Sequence, residues 1–128
     1  RPDGGQARPE TPAHHRPRAQ VILRRTGMSV FVWRKPDDSW RTWAYEIARA
    51  QDERGLRRVT LTFTPLCRDN RSMRFAPTYW PTVEHVMDGL IGAGLIADRG
   101  PDHLCRIVLN AGRIEGVDGL EVQVEVED

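Results

Sequence analysis

From Leu120 to Glu127 the chain alternates without a break. Leu120, Val122, Val124 and Val126 are apolar, and Glu121, Gln123, Glu125 and Glu127 lie between them. A period of two over this length calls for an extended strand, because successive side chains point to opposite faces. One face is to be buried and the other, acidic, is to meet water. A second stretch imposes the same constraint: Val59, Leu61 and Phe63 alternate with Thr60, Thr62 and Thr64. Its β-branched and aromatic residues suit a half-buried pleated surface.

Helical spacing lies between and before these strands. Val83, Val86, Met87, Leu90 and Ile91 form one apolar face, with Pro81 suited to the first turn and Gly92 and Gly94 to the stop. Trp40, Trp43, Ala44, Ile47 and Ala48 form another, with N-cap chemistry in Asp37, Asp38 and Ser39 and Gly55 as the end. Ser29–Trp33 and Leu104–Asn110 read as further strands, Pro65–Thr78 as a polar loop, and Gly112–Gly119 as a turn. Val21–Leu23 is a short apolar run with no assignment. The tryptophans Trp33, Trp40 and Trp43 are expected to pack between the first strand and the first helix. The series implies an α+β fold, a small mixed β-sheet with two main helices packed on one face.

A chain of 128 residues holds one domain. Residues 1–18 are rich in Pro, Arg, Gly and His without apolar periodicity and are expected to be disordered. The domain is expected at 28–128, with 1–27 a disordered basic N-terminal extension. Six arginines against Asp3 and Glu10 give that extension a balance of +4, and the remainder, 13 basic against 16 acidic, about −3. Arg54, Arg57, Arg58, Arg68, Arg71 and Arg74 cluster in sequence, while the last segment is acidic, so one end of the sheet is expected to be positive and another region negative. Cys67 and Cys105 lack metal-type spacing, and each is expected as a buried reduced thiol, which suggests a cytoplasmic location. No apolar run reaches the length of a membrane span.

The ordered series from 58 to 128 carries a family resemblance. The run Val83-Glu84-His85-Val86-Met87-Asp88-Gly89-Leu90-Ile91-Gly92-Ala93-Gly94-Leu95-Ile96 resembles a helix ending in an Asp-[Gly/Ala]-Leu…Ala-Gly pattern, and Ala97-Asp98-Arg99 follows where that pattern continues into paired Asp. An alternating strand and an arginine-rich loop precede it, and two strands follow. In this order the chain is similar to the RusA-like Holliday-junction endonucleases. The match is loose over 28–57 and leaves 1–27 outside.

The resemblance implies a Mg²⁺-dependent, homodimeric endonuclease acting on four-way DNA junctions in recombination and repair, of phage or prophage origin and acting in the bacterial cytoplasm. In that family an Asp-x-Asp-Asn motif before the helix and the second Asp of the later pair hold the metal. Mg²⁺ needs oxygen ligands to activate water and stabilise the phosphate. Here Met73–Trp80 contains no acid. The two Asp positions fall on Phe75 and Pro77, or on Thr78 and Trp80; the second Asp of the pair falls on Arg99, and an assisting Lys on Glu84. A fixed cation at a ligand position repels a metal ion. The carboxylates left for a rebuilt catalytic and Mg²⁺ site are Asp98 and Asp102, with Asp98 equally readable as a turn residue before Arg99-Gly100-Pro101.

The expected DNA contacts are Arg68, Arg71 and Arg74, whose guanidinium groups match phosphate geometry. Tyr79 and Trp80 are candidates for base stacking, with packing on the helix the alternative for Trp80. The reading is therefore a branched-DNA-binding protein impaired in cleavage, and the alternative is a protein-interaction module using the acidic last strand.

Overall fold

The computed structural model describes residues 17–26, 38–72 and 76–127, and the side chains of 21–26, 38–71 and 79–127. The elements run β1 (Pro17–Thr26), α1 (Ser39–Arg49), β2 (Val59–Cys67), a 3₁₀ turn (Asn70–Ser72), α2 (Ala76–Gly92), β3 (Leu104–Leu109), β4 (Arg113–Ile114) and β5 (Gly119–Glu127). The sheet order is β1-β5-β2-β3, with β4 also paired to β2. β5 is antiparallel to both neighbours, and β2 is parallel to β3 and β4. A parallel pair cannot be closed by a hairpin, and the amphipathic α2 supplies the crossover from β2 to β3. The mixed sheet with two helices is the α+β architecture that the alternation and helical spacing imply.

Register explains the core. Val59, Leu61 and Phe63 of β2 face Val126, Val124 and Val122 of β5, and Val124 and Val122 in turn face Val21 and Leu23 of β1. This apolar face joins Trp40, Ala44 and Ala48 of α1 and Val83, Val86, Met87 and Leu90 of α2 in one buried cluster. Both helices therefore cover the same side of the sheet. The other side carries Ile22, Gln123, Thr62 and Val108 in one row and Arg24, Glu121 and Thr64 in the next.

Residues 17–26 correct the expected boundary at 27/28. They form a full strand along β5, and Leu23 is buried. A run of three apolar residues flanked by arginines gives little strand signal alone; the alternation of β5 supplies the matching face. Arg25, on the helix side of β1, donates from Nη1 to the Ser39 carbonyl (2.8 Å) and stacks over Trp40. The expected strand Ser29–Trp33, Trp33 itself and residues 1–16 of the stretch 1–18 expected to be disordered lie outside the described residues, while Pro17 and Arg18 of that stretch belong to β1.

Helix ends differ from expectation. The N-cap of α1 is Asp38, but its carboxylate makes no capping bond and lies 3.4 Å from Arg41. α1 stops at Arg49, before Gly55, and the Arg54 guanidinium caps the end by donating to the carbonyls of Ala48, Arg49, Gln51 and Glu53. α2 begins at Ala76, so Pro81 is inside the helix and not in its first turn. Near the start the cost of a missing N–H is confined to one helical bond. The early start extends the apolar face to Tyr79, one turn before Val83. Pro65, Leu66 and Cys67 belong to β2 and not to the expected loop.

The two helices meet closely at Gly89. A β-carbon there would lie 2.4 Å from the carbonyl oxygen of Arg41 and 2.8 Å from the Ala44 β-carbon.

Candidate functional site

The resemblance directs three arginines of the loop after β2 toward a DNA backbone. Two have described side chains, and they differ. Arg68 is anchored: its backbone N–H and its Nη1 donate to the two carboxylate oxygens of Asp118 at 3.0 and 2.9 Å. Asp118 is only 13% exposed, so this pair ties the loop to the turn before β5. Arg71 is 93% exposed, with Asp69 3.9 Å away, and its backbone N–H donates to Asp69 Oδ1. Arg74 lies outside the described residues.

Tyr79 is not a stacking platform. It is fully buried, and its hydroxyl donates to the Asn110 carbonyl at 2.7 Å, with the Phe63 carbonyl 3.2 Å away. Burial pushes the phenol well above its ordinary pKa, so it stays a neutral donor. The ring fastens α2 to the point where β2 and β3 part. Trp80 is half-buried and packs against the core, which is the packing alternative.

The exposed side of α2 forms a groove of about 250 Å³ lined by Pro81, Glu84, His85, Asp88 and Arg99. It contains two positions, 84 and 99, where the resemblance expects chemistry. Arg99 is ion-paired with Asp88 across this groove. Asp98 is exposed and not among the lining residues; its Oδ1 accepts the Arg99 backbone N–H at 2.7 Å, as a turn residue does. Asp102 lines a different groove, beside Arg57 and Arg58. Asp98 and Asp102 thus share neither of these two grooves. Among the described residues no three His, Cys, Asp or Glu side chains are grouped to hold a metal. The orphaned buried atom at the groove is His85 Nδ1, a nitrogen, whereas Mg²⁺ takes oxygens. Asp88 is engaged by the Arg99 guanidinium, and Glu84, one turn earlier, is the other carboxylate of this groove, so among the described residues a single unengaged carboxylate is left, a poor fit to Mg²⁺.

Cys67 is buried as expected, but Cys105 is exposed. The register of β3 explains the correction: Val59 faces Leu104 while Thr60 faces Arg106, so Cys105 is the extra residue of a bulge.

The remaining arginines sort by partner. Arg24 and Arg113 form ion pairs with Glu115, and Arg113 also with Glu121. Glu115 is held below the usual carboxylate range, first by Arg113 and then by Arg24, and both glutamates raise Arg113. Arg49 lies over the Tyr45 ring. Arg57, Arg58 and Arg106 alone among the described arginine side chains have no ion-pair, hydrogen-bond or ring partner, and they line adjoining grooves. Sequence reading grouped Arg57 and Arg58 with the 68–74 loop. The structure places them at opposite ends of β2, about 30 Å apart at ~3.3 Å per residue. Arg106 carries no signal in the sequence, since only the Thr60–Arg106 register brings it near them.

Comparison with known protein families, with curated proteins and with solved structures finds no match to this chain. No described helix is long and apolar enough to cross a membrane.

Proposed function

We propose that this domain binds the phosphate backbone of branched DNA and does not cut it. The observation that carries this reading is the Arg99–Asp88 pair in the α2 groove. It puts a fixed cation where the resemblance expects a metal ligand and engages Asp88, leaving Glu84 as the one unengaged carboxylate of the groove, whereas hydrolysis through a divalent ion needs several oxygen ligands. The ordered resemblance over 58–128 to RusA-like junction endonucleases supplies the branched-DNA preference. The solvent-exposed Arg71 offers phosphate contact. A homodimer on a two-fold junction and a phage or prophage origin belong to the same proposal and rest on the resemblance.

The test is a gel shift with a synthetic four-way junction and a linear duplex of equal length, across a salt series, followed by incubation with Mg²⁺ or Mn²⁺. The expected result is salt-sensitive binding that favours the junction, with no nicking. Equal affinity for both DNAs removes the branched-DNA reading, and metal-dependent nicking removes the non-cutting one.

One observation favours a second reading, a protein-interaction module. The sheet side away from the helices exposes Ile22 (57%) beside the glutamates of β5. Capture of a defined protein partner that persists after DNase treatment, and is lost in Ile22→Lys, favours that reading.

A further inference from the structure

We propose that the end of the sheet where β2 begins is a phosphate-binding site built from Arg57, Arg58 and Arg106. It lies at the far end of β2 from the loop invoked above and does not rest on the branched-DNA reading. Two open grooves meet there. One, of about 520 Å³, is lined by Arg58, Thr60, Cys105, Arg106 and Glu127. The other, of about 270 Å³, is lined by Arg57, Arg58, Pro101, Asp102 and Cys105. Arg58 and Cys105 belong to both.

Three features point to an anion. The first is the partner distribution: the described arginine side chains without a partner are gathered at this place and nowhere else. An arginine that serves only solubility has no reason to share a groove with others, since like charges repel. The second is the backbone of Arg58, at φ +57°, a left-handed conformation that residues with a β-carbon rarely adopt. It is fixed from both sides. The Arg58 N–H donates to the Asp102 carbonyl, and its carbonyl accepts from the Glu127 N–H, each at 3.1 Å. A glycine would hold this turn with less strain, yet the position carries the side chain that both grooves share. The third is the bulge at Cys105, which sets Arg106 opposite Thr60 and so brings it to the same groove.

Asp102 and Glu127 also line these grooves, and neither is within ion-pair distance of the arginines. Three guanidinium groups against two carboxylates leave a modest positive excess. That balance suits one phosphate group held by guanidinium forks better than a long polyanion held by charge alone. The phosphate can come from a free nucleotide or from the backbone or terminus of a nucleic acid, and the chemistry is shared.

Cys105 provides the readout, because it is exposed at the groove while Cys67 is buried. The full chain is labelled with N-ethylmaleimide at constant ionic strength, set with chloride, in the presence of inorganic phosphate, a nucleoside monophosphate or a short single-stranded DNA. A Cys105→Ser control confirms the labelled residue. Saturable slowing of labelling is expected with a phosphate ligand. Arg106→Gln and Arg58→Gly should each weaken that protection about tenfold, the loss of one charge-assisted contact. Arg58→Gly suits the local backbone, so its effect is not one of misfolding. Protection by DNA but not by phosphate or nucleotide assigns the source to nucleic acid, and equal protection by nucleotide and DNA assigns it to a free phosphate group. Equal slowing by chloride, or protection unchanged in both variants, overturns the proposal.

Discussion

The guanidinium of Arg25 lies 4.6 Å from the centre of the Trp40 ring, joining the outer strand β1 to the first turn of α1. It also approaches Trp43 at 5.9 Å. A chain begun at Met28 loses this clasp together with all of β1, and leaves the valine-rich β5 as a bare edge. It is expected to aggregate or to lose cooperative unfolding, as read by circular dichroism and light scattering. A monomer with an unchanged melting temperature would show β1 to be dispensable. Arg25→Ala in the full chain should cost about 1 kcal/mol.

Gly89→Ala tests the helix contact. On an exposed helix this exchange stabilises by about 1 kcal/mol. Here the new methyl meets the backbone of Arg41, so destabilisation of about 1–3 kcal/mol is expected. The urea midpoint decides between the two signs.

Tyr79→Phe removes a buried donor and leaves the Asn110 carbonyl short of a partner. Stability should fall by about 1–2 kcal/mol. Junction affinity should stay as in the parent, since the ring is in the core; a selective loss of DNA binding without loss of stability would restore Tyr79 as a contact residue.

Glu115 gives a pH signature. Its carboxylate is depressed by Arg113 and Arg24, so its contribution is present at neutral pH and is lost as pH falls below the ordinary carboxylate range. Glu115→Gln is expected to melt earlier than the parent at neutral pH, and the gap should close in acid. A gap independent of pH would mean that the pairs contribute no linkage.

Elements with a strict period could be read from sequence: the alternation of β2 and β5 and the apolar face of α2 all recur in the structure. What was not legible depended on partners distant in the chain. β1 looked like part of a basic tail because its strand character comes from pairing with β5. Tyr79 looked exposed because Pro81 suggested a later helix start. Asp98 accepts the next backbone N–H in its turn, while Asp102 lines a groove with Arg57 and Arg58, a contact that sequence spacing does not show. The arginines of 57–58 and 68–71 looked like one cluster because sequence proximity ignores the length of the strand between them.

Among the described strands, β1 hydrogen-bonds only to β5, the last of them. During synthesis it has no partner among the described strands until all the others have been made. Closure of this sheet therefore depends on a long-range partner, which favours slow folding and exposes the waiting segment to chaperones or to mispairing with a neighbouring chain.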